Sequence, residues 1–364
     1  MREEQLQDFR EKIESIRTLI EAKAAKGVMI SNQNHFSWLT GGRGFIGLAA
    51  TAACGSIIVT LDQVYLVAEN IEATRLYKEQ LQENPMIIVK EYPWHIPAQR
   101  AQIIKEICPE GLLDEGALAN ELFELRTALS AYDQDRYRDI CQTTAKVLEG
   151  ICKELKAGTT EYELAGILSK EMWANNLEPI TLLIAFDERA LMYRHPVPTD
   201  NVLKNYALIA VCTRRQGLIA SATRMVALKH PGEEMLRRQQ VAAYVNATLI
   251  AHTKEGADMA DIFEKCAMAY KEKGFEGEWT FHHQGGLTGY NPREIKGMSD
   301  VHHRVKVGEA YGWNPSCQGA KSENTILVTK QGSENLTHTG EYKYIEVMID
   351  GKTYLEEDIL ILNH

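Results

Sequence analysis

With 364 residues, 45% of them hydrophobic and 25% charged, the chain exceeds the usual size of one hydrophobic core and is neither disordered nor fibrous in composition. A formal net charge of −10 disfavours a general binder of phosphate backbones, which needs a basic face to release counterions. The longest apolar stretches, such as Ser56 to Leu61, are too short to cross a bilayer, and the acidic, polar start from Met1 to Arg10 is unlike a signal peptide, so a cytoplasmic protein with no membrane partner is expected.

In chain order, Leu6, Phe9, Ile13, Ile16 and Ile20 recur at helical spacing and predict an amphipathic opening helix that Gly27 stops. Apolar runs follow at Val28 to Ile30, Ser56 to Leu61 and Val64 to Ala68, the last two joined at Asp62 and Gln63 as a hairpin. Helical patterns from Glu69 to Leu81 and from Ala98 to Ile107 alternate with them, which makes an α/β unit ending near residue 125. A long helix is predicted from Tyr132 to Leu155 by Ile140, Ala145, Val147, Leu148, Ile151 and Leu155, and Gly158 ends it. Thr160 with Glu163 forms a capping box, each side chain satisfying a free backbone donor of a helix running to about Asn175. Strand-like runs then lie at Ile180 to Phe186, Tyr206 to Val211, Gly217 to Ser221, Thr325 to Thr329 and Tyr344 to Ile349, with helices near Glu233 to His252 and Met259 to Lys271.

The seven cysteines are scattered and contain no CxxC pair, so reduced thiols are expected rather than a zinc or redox motif. Cys212 alone merits a test as a nucleophile.

Five segments carry a resemblance. They are Phe36-Ser37-Trp38-Leu39-Thr40-Gly41; Leu125-Arg126 through Leu155-Lys156-Ala157-Gly158-Thr159-Thr160-Glu161; His195-Pro196-Val197-Pro198-Thr199-Asp200; Gly217 with Thr223-Arg224; and Gly319-Ala320-Lys321-Ser322-Glu323-Asn324-Thr325. In this order and at this spacing the chain resembles the creatinase, aminopeptidase P and prolidase (Xaa-Pro peptidase) family. The resemblance implies an α/β (α+β) protein, with an N-terminal creatinase-like α/β domain over residues 1–130 and a C-terminal pita-bread domain over residues 131–364, assembled as a homodimer.

Family peptidases hold two metal ions with two aspartates, one histidine and two glutamates, because hard carboxylates suit ions that activate water. Aligned on Thr223-Arg224, the second aspartate falls on Ser221 and the first, eleven residues earlier, on Ala210. The histidine falls on Gly286 and one glutamate on Asn314, so that only Glu323 matches its ligand. One carboxylate among five positions does not offset the cost of dehydrating two ions, so no metal cofactor is expected. A shifted register would instead bring in His283, His302, His303 or Glu309, although His302-His303 beside Arg304 and Lys306 reads as a solvated turn.

Creatinase hydrolyses its substrate without metal and relies on a histidine in the loop that His195 matches. The resemblance thus implies a metal-independent hydrolase of a C–N bond in a small amidino or amide compound, with His195 as acid and base. The alternative role of His195 is to cap a backbone carbonyl. Glu323 is the partner carboxylate, free to bind an amidinium or tied up in a salt bridge with Lys321 or Arg224. His282, Asn314, Tyr311 and Arg224 form the substrate-binding set, with Tyr311 and Trp313 packing or walling a pocket, and His283 facing away if its segment is extended. Arg43 is a loop arginine of the N-terminal domain that could reach a partner's site. The ligand is a small molecule or short peptide. A catalytically inactive, peptidase-like binding protein is the competing reading, and a metal-dependent Xaa-Pro peptidase the third.

Overall fold

A computed structural model describes residues 3–363, which divide into two compact units with the boundary between Tyr132 and Asp133. In the first, α1 (Glu3–Ala22) buries Phe9, Ile13, Ile16 and Ile20, the stripe that its sequence spacing predicts. β1 (Gly27–Asn32), α2 (Gln33–Thr40), β2 (Ala52–Thr60) and β3 (Val64–Glu69) follow, and β2 and β3 form the hairpin expected at Asp62-Gln63, in register Val59 to Val64. The helix expected from Glu69 begins later. Glu69 still belongs to β3, and only α3 (Ala73–Arg75) and the wider turn Leu76–Gln80 are helical. β4 (Ile87–Tyr92), α4 (Ala98–Ile107), β5 (Leu112–Asp114) and α5 (Ala119–Thr127) complete a sheet of order β4-β3-β2-β1-β5. Here Glu115 accepts from the Ser31 and Asn32 amides and lies 2.6 Å from His35 Nδ1, while Arg126 Nη1 meets Nε2 of the same ring, so a buried polar triad ties α2, α5 and β1 together.

α6 (Ala131–Lys153) crosses the boundary and buries Ile140, Cys141, Ala145, Leu148 and Cys152 at helical spacing. α7 (Glu161–Ala174) begins with the predicted capping box, in which Thr160 Oγ1 accepts from the Glu163 amide and Glu163 accepts from the Thr160 amide at 2.7 Å. β6 (Glu178–Phe186), α8 (Glu188–Met192), β7 (Tyr206–Arg215) and β8 (Leu218–Ala227) come next. The β7–β8 turn has φ of 49° at Gln216 and 88° at Gly217, a mirror-image turn that needs a residue free of Cβ strain. α9 (Glu233–His252) and α10 (Met259–Glu272) precede β9 (Gly285–Thr288), β10 (Ile295–Lys296), β11 (Ala310–Trp313), β12 (Ser316–Cys317), β13 (Ala320–Lys321), β14 (Asn324–Thr329), β15 (Gly332–Asn335), β16 (Tyr344–Ile349), β17 (Lys352–Glu357) and β18 (Leu360–Ile361). Two larger sheets result, β18-β8-β7-β6 and β10-β9-β11-β14-β15, beside the two-stranded pairs β12–β13 and β16–β17, the latter packed through Val347 and Ile349 on Ala243 and Ala247 of α9. All seven cysteines are reduced, and among the described residues no helix is long and apolar enough to cross a membrane.

Candidate functional site

Strand pairing gathers the five positions at which the resemblance expects metal ligands. β7 and β8 set Ala210 opposite Thr223 and Cys212 opposite Ser221. β8 then runs beside β14, where the Thr223 amide donates to the Glu323 carbonyl at 3.2 Å and the Ser221 amide to Thr325 Oγ1 at 2.9 Å. β9 and β11 place Gly286 opposite Gly312, and the Asn314 amide donates to the Gln284 carbonyl.

Of the four positions, Ala210 and Gly286 have no side-chain donor atom, and Ser221 and Asn314 have only neutral ones. The Ala210 methyl lies in an apolar cluster with Tyr206, Leu208, Met225 and Ala320. Ser221 Oγ lies 3.3 Å from Cys212 Sγ. Gly286 has φ of 148°, and a Cβ there would meet the Ile295 carbonyl at 2.1 Å, so a histidine is sterically excluded at this position. Gly286→Ala is accordingly expected to cost about 1–3 kcal/mol in urea unfolding, because backbone rather than a side-chain tip must give way.

Two protein cations surround the one carboxylate that remains. Lys321 Nζ lies 2.9 Å from Glu323 Oε2, Thr223 Oγ1 donates to the same oxygen at 2.6 Å, and Arg293 Nη2 approaches Oε1 at 3.4 Å. Burial alone would raise the Glu323 carboxyl, but the charges of Lys321 and Arg293 with the Thr223 hydroxyl outweigh it and hold the group at about 2. The Arg293 guanidinium lies over Gly312, where a Cβ would come within 2.8 Å of Nη1, so the missing side chain at Gly312 leaves the space that the guanidinium fills. The family's two metal ions therefore do not fit this residue set: carboxylates are missing, and an ammonium and a guanidinium already neutralise Glu323.

Beside this cluster stand three imidazoles. His195 is exposed on the loop after α8, and its Nε2 lies 3.0 Å from Nε2 of His282. His283 stacks on His282 with ring centroids 4.5 Å apart, contrary to the expectation that it faces away, because a bend at His282 precedes the first strand residue, Gly285. Burial and the nearby Lys321 charge lower His195 and His282, and burial with Arg293 and Lys321 pushes His283 down to about 4. Burial and these cations favour the neutral form of each ring.

The other expected residues divide between this site and the packing around it. Asn314 is buried and its Oδ1 has no partner, which leaves it an acceptor for a ligand N–H. Tyr311 is not a substrate contact: its hydroxyl donates to Glu309 at 2.8 Å and its ring stacks on Trp313, on the face of β11 opposite Gly312. Arg224 likewise points away from Thr223's face and is fully enclosed by Glu149, Glu357 and the Thr337 carbonyl, so it is a core ion pair rather than a binding group. His302 is exposed beside Asp258, and His303 is locked on Glu309 at 2.8 Å. Among the described residues only His195, His282 and His283 bring three potential ligand atoms together. Arg43 is held by the Ile46 carbonyl and the Phe45 ring, and burial raises the Cys212 thiol, which disfavours a thiolate nucleophile. Arg293 and the site role of Lys321 escape sequence reasoning. Lys321 lies within a quoted motif, whereas Arg293 reaches Glu323 only through the turn between β9 and β10, and its sole local signal is the glycine pair in Gln284-Gly285-Gly286-Leu287.

Comparison with known proteins agrees with this architecture. The family model described as Metallopeptidase family M24 matches residues 135–330. An uncharacterized peptidase, MW1651, of Staphylococcus aureus (strain MW2) is 26% identical over 226 residues, which cover 59% of this chain and 64% of that protein. The chain thus spans somewhat under two thirds of that relative's length. Among solved structures, the prolidase from Pyrococcus horikoshii OT3 superposes with a TM-score of 0.75 at 19% identity, over 90% of this chain and 98% of that one. The Xaa-Pro dipeptidase from Bacillus anthracis superposes with 0.72 at 14% identity, over 97% and 100%. These likenesses show the same two-domain α/β fold with a pita-bread unit.

Proposed function

The chain belongs to metallopeptidase family M24, and from that premise we propose that it is a hydrolase that cleaves the C–N bond of a small, carboxylate-bearing amide without the dinuclear metal centre. The observation that carries this reading is the Lys321–Glu323–Arg293 cluster, set at the family's metal position beside three neutral imidazoles. Glu323 has both oxygens engaged and cannot also pair with a substrate amidinium, which the two cations would repel, so an amide is favoured over an amidino compound. The Lys321 ammonium pairs with Glu323 Oε2 at 2.9 Å and, with three N–H donors, can also serve an anionic or developing oxyanionic oxygen. Asn314 Oδ1 accepts from the amide N–H. His195, neutral and reachable from solvent, takes a proton from the attacking water and returns it to the leaving nitrogen, and His282 orients its ring through the Nε2–Nε2 contact.

The test is a panel of N-acyl amino acids and dipeptides assayed in chelator and again with added Mn2+. Turnover that survives chelator supports the reading, whereas turnover seen only with Mn2+ overturns it. Binding without turnover would favour the inactive binding protein. The pH dependence supplies a further check. Because burial and Lys321 lower the His195 value, the acid limb of kcat/KM is expected below the ordinary imidazole value of about 6.5. A limb at or above that value would contradict the assignment of His195 as base.

A further inference from the structure

The three imidazoles have a capability that the hydrolytic reading does not use. Their potential ligand atoms lie within 4.8 Å of one another, and His195 Nε2 and His282 Nε2 are already 3.0 Å apart. Imidazole nitrogens bound to one zinc ion at about 2.0–2.1 Å lie roughly 3–4 Å from each other, so small side-chain rotations bring His283 into range. His282 is only 7% exposed, yet its Nδ1 has no partner, and neither has the Nδ1 of His283. No protein hydrogen bond at Nδ1 therefore fixes the tautomer of either ring. His195 is exposed and provides the access path.

We propose that His195, His282 and His283 form a mononuclear site for a late first-row transition ion such as Zn2+ or Co2+, built from none of the family's five ligand positions. Neutral imidazoles suit these borderline ions and discriminate against the hard, oxygen-seeking Mn2+ and Mg2+. Lys321 and Lys296 nearby oppose a bare dication, but they favour an anion such as hydroxide, chloride or a carboxylate as the fourth ligand. In occupying the site the ion takes the lone pair by which His195 accepts a proton from water. Inhibition by the ion, though not its binding, rests on the hydrolytic reading.

The experiment uses the full chain stripped with chelator, titrated with Co2+ by visible absorption and with Zn2+ by calorimetry. One equivalent of each is expected to bind, with the d–d bands of a four- or five-coordinate nitrogen site, and Mn2+ to give no comparable heat. His195→Ala and His283→Ala are each expected to weaken Zn2+ binding by about tenfold or more. Both are used because His282 is buried, and thermal unfolding confirms that each variant folds. Absence of binding in the parent protein, or binding that survives unchanged in both variants, would overturn the site. Stoichiometric binding that leaves turnover intact would instead overturn the role of His195 as base while preserving the metal site.

Discussion

Replacing His195 with alanine is expected to lower kcat by about 10²–10⁴-fold on any amide the protein turns over, the range associated with losing a positioned general acid–base. Stability should stay within about 0.5 kcal/mol, because the ring is exposed on a loop and its one hydrogen-bond contact among the described residues is with His282. That combination distinguishes catalysis from a carbonyl-capping role, which would spare turnover. His195→Gln separates the functions further: it keeps a polar side chain on the loop but cannot accept and return a proton, so it should be as inactive as the alanine variant. Paired kcat and urea-unfolding measurements on both variants decide the matter, and a His195→Gln enzyme with parental kcat would remove His195 from the chemistry.

Lys321→Met is expected to produce the largest loss of stability of any substitution considered, about 3 kcal/mol at pH 7, at the lower end for an ion pair broken in the interior. Lys321 and Glu323 are 5% and 4% exposed, and removing the ammonium leaves the carboxylate with Thr223 and a more distant Arg293. Turnover should fall with it. The sign of the pH effect follows from the depressed Glu323 value. A carboxyl held at about 2 contributes stability that is fully present above its ordinary value near 4.5 and is lost as pH falls toward 2. Without Lys321 the carboxyl titrates higher, so the stability gap between parent and variant should narrow as pH falls through that window. Lys321→Met combined with Glu323→Gln should recover most of the loss at pH 7, since the pair is then removed rather than broken. A gap that widens in acid, or a double variant no more stable than the single one, would contradict the pairing.

These expectations depend on features of unequal visibility in the sequence. The Thr160–Glu163 capping box, the hairpin at Asp62-Gln63 and the amphipathic stripes of α1 and α6 are local, and each is found where its residues predict it. The losses at Ala210 and Ser221 are legible because Thr223-Arg224 stands next to them on the same strand. Three readings fail for a common reason: facing is decided by tertiary context. Arg224 and Tyr311 belong to motifs that flank the site, yet strand alternation turns both to the opposite face, onto Glu149 and Glu309. His283 joins His282 because the chain bends before β9, and no residue there other than the following glycines signals a bend. Arg293, thirty positions before Glu323 in the chain, enters the site through pairing between β9, β10 and β11, a relation that no local pattern encodes. The sequence thus shows which residues stand where the resemblance expects ligands, while the charges proposed to replace the metal ions emerge from the fold.

That replacement is tested most directly by anomalous diffraction at the manganese edge from crystals grown with excess Mn2+. The expected map has no manganese peak within coordination distance of Glu323, with Lys321 and Arg293 still on its two oxygens and Ser221 and Asn314 uncoordinated. A pair of manganese peaks bridged by Glu323, with Lys321 displaced, would contradict the account.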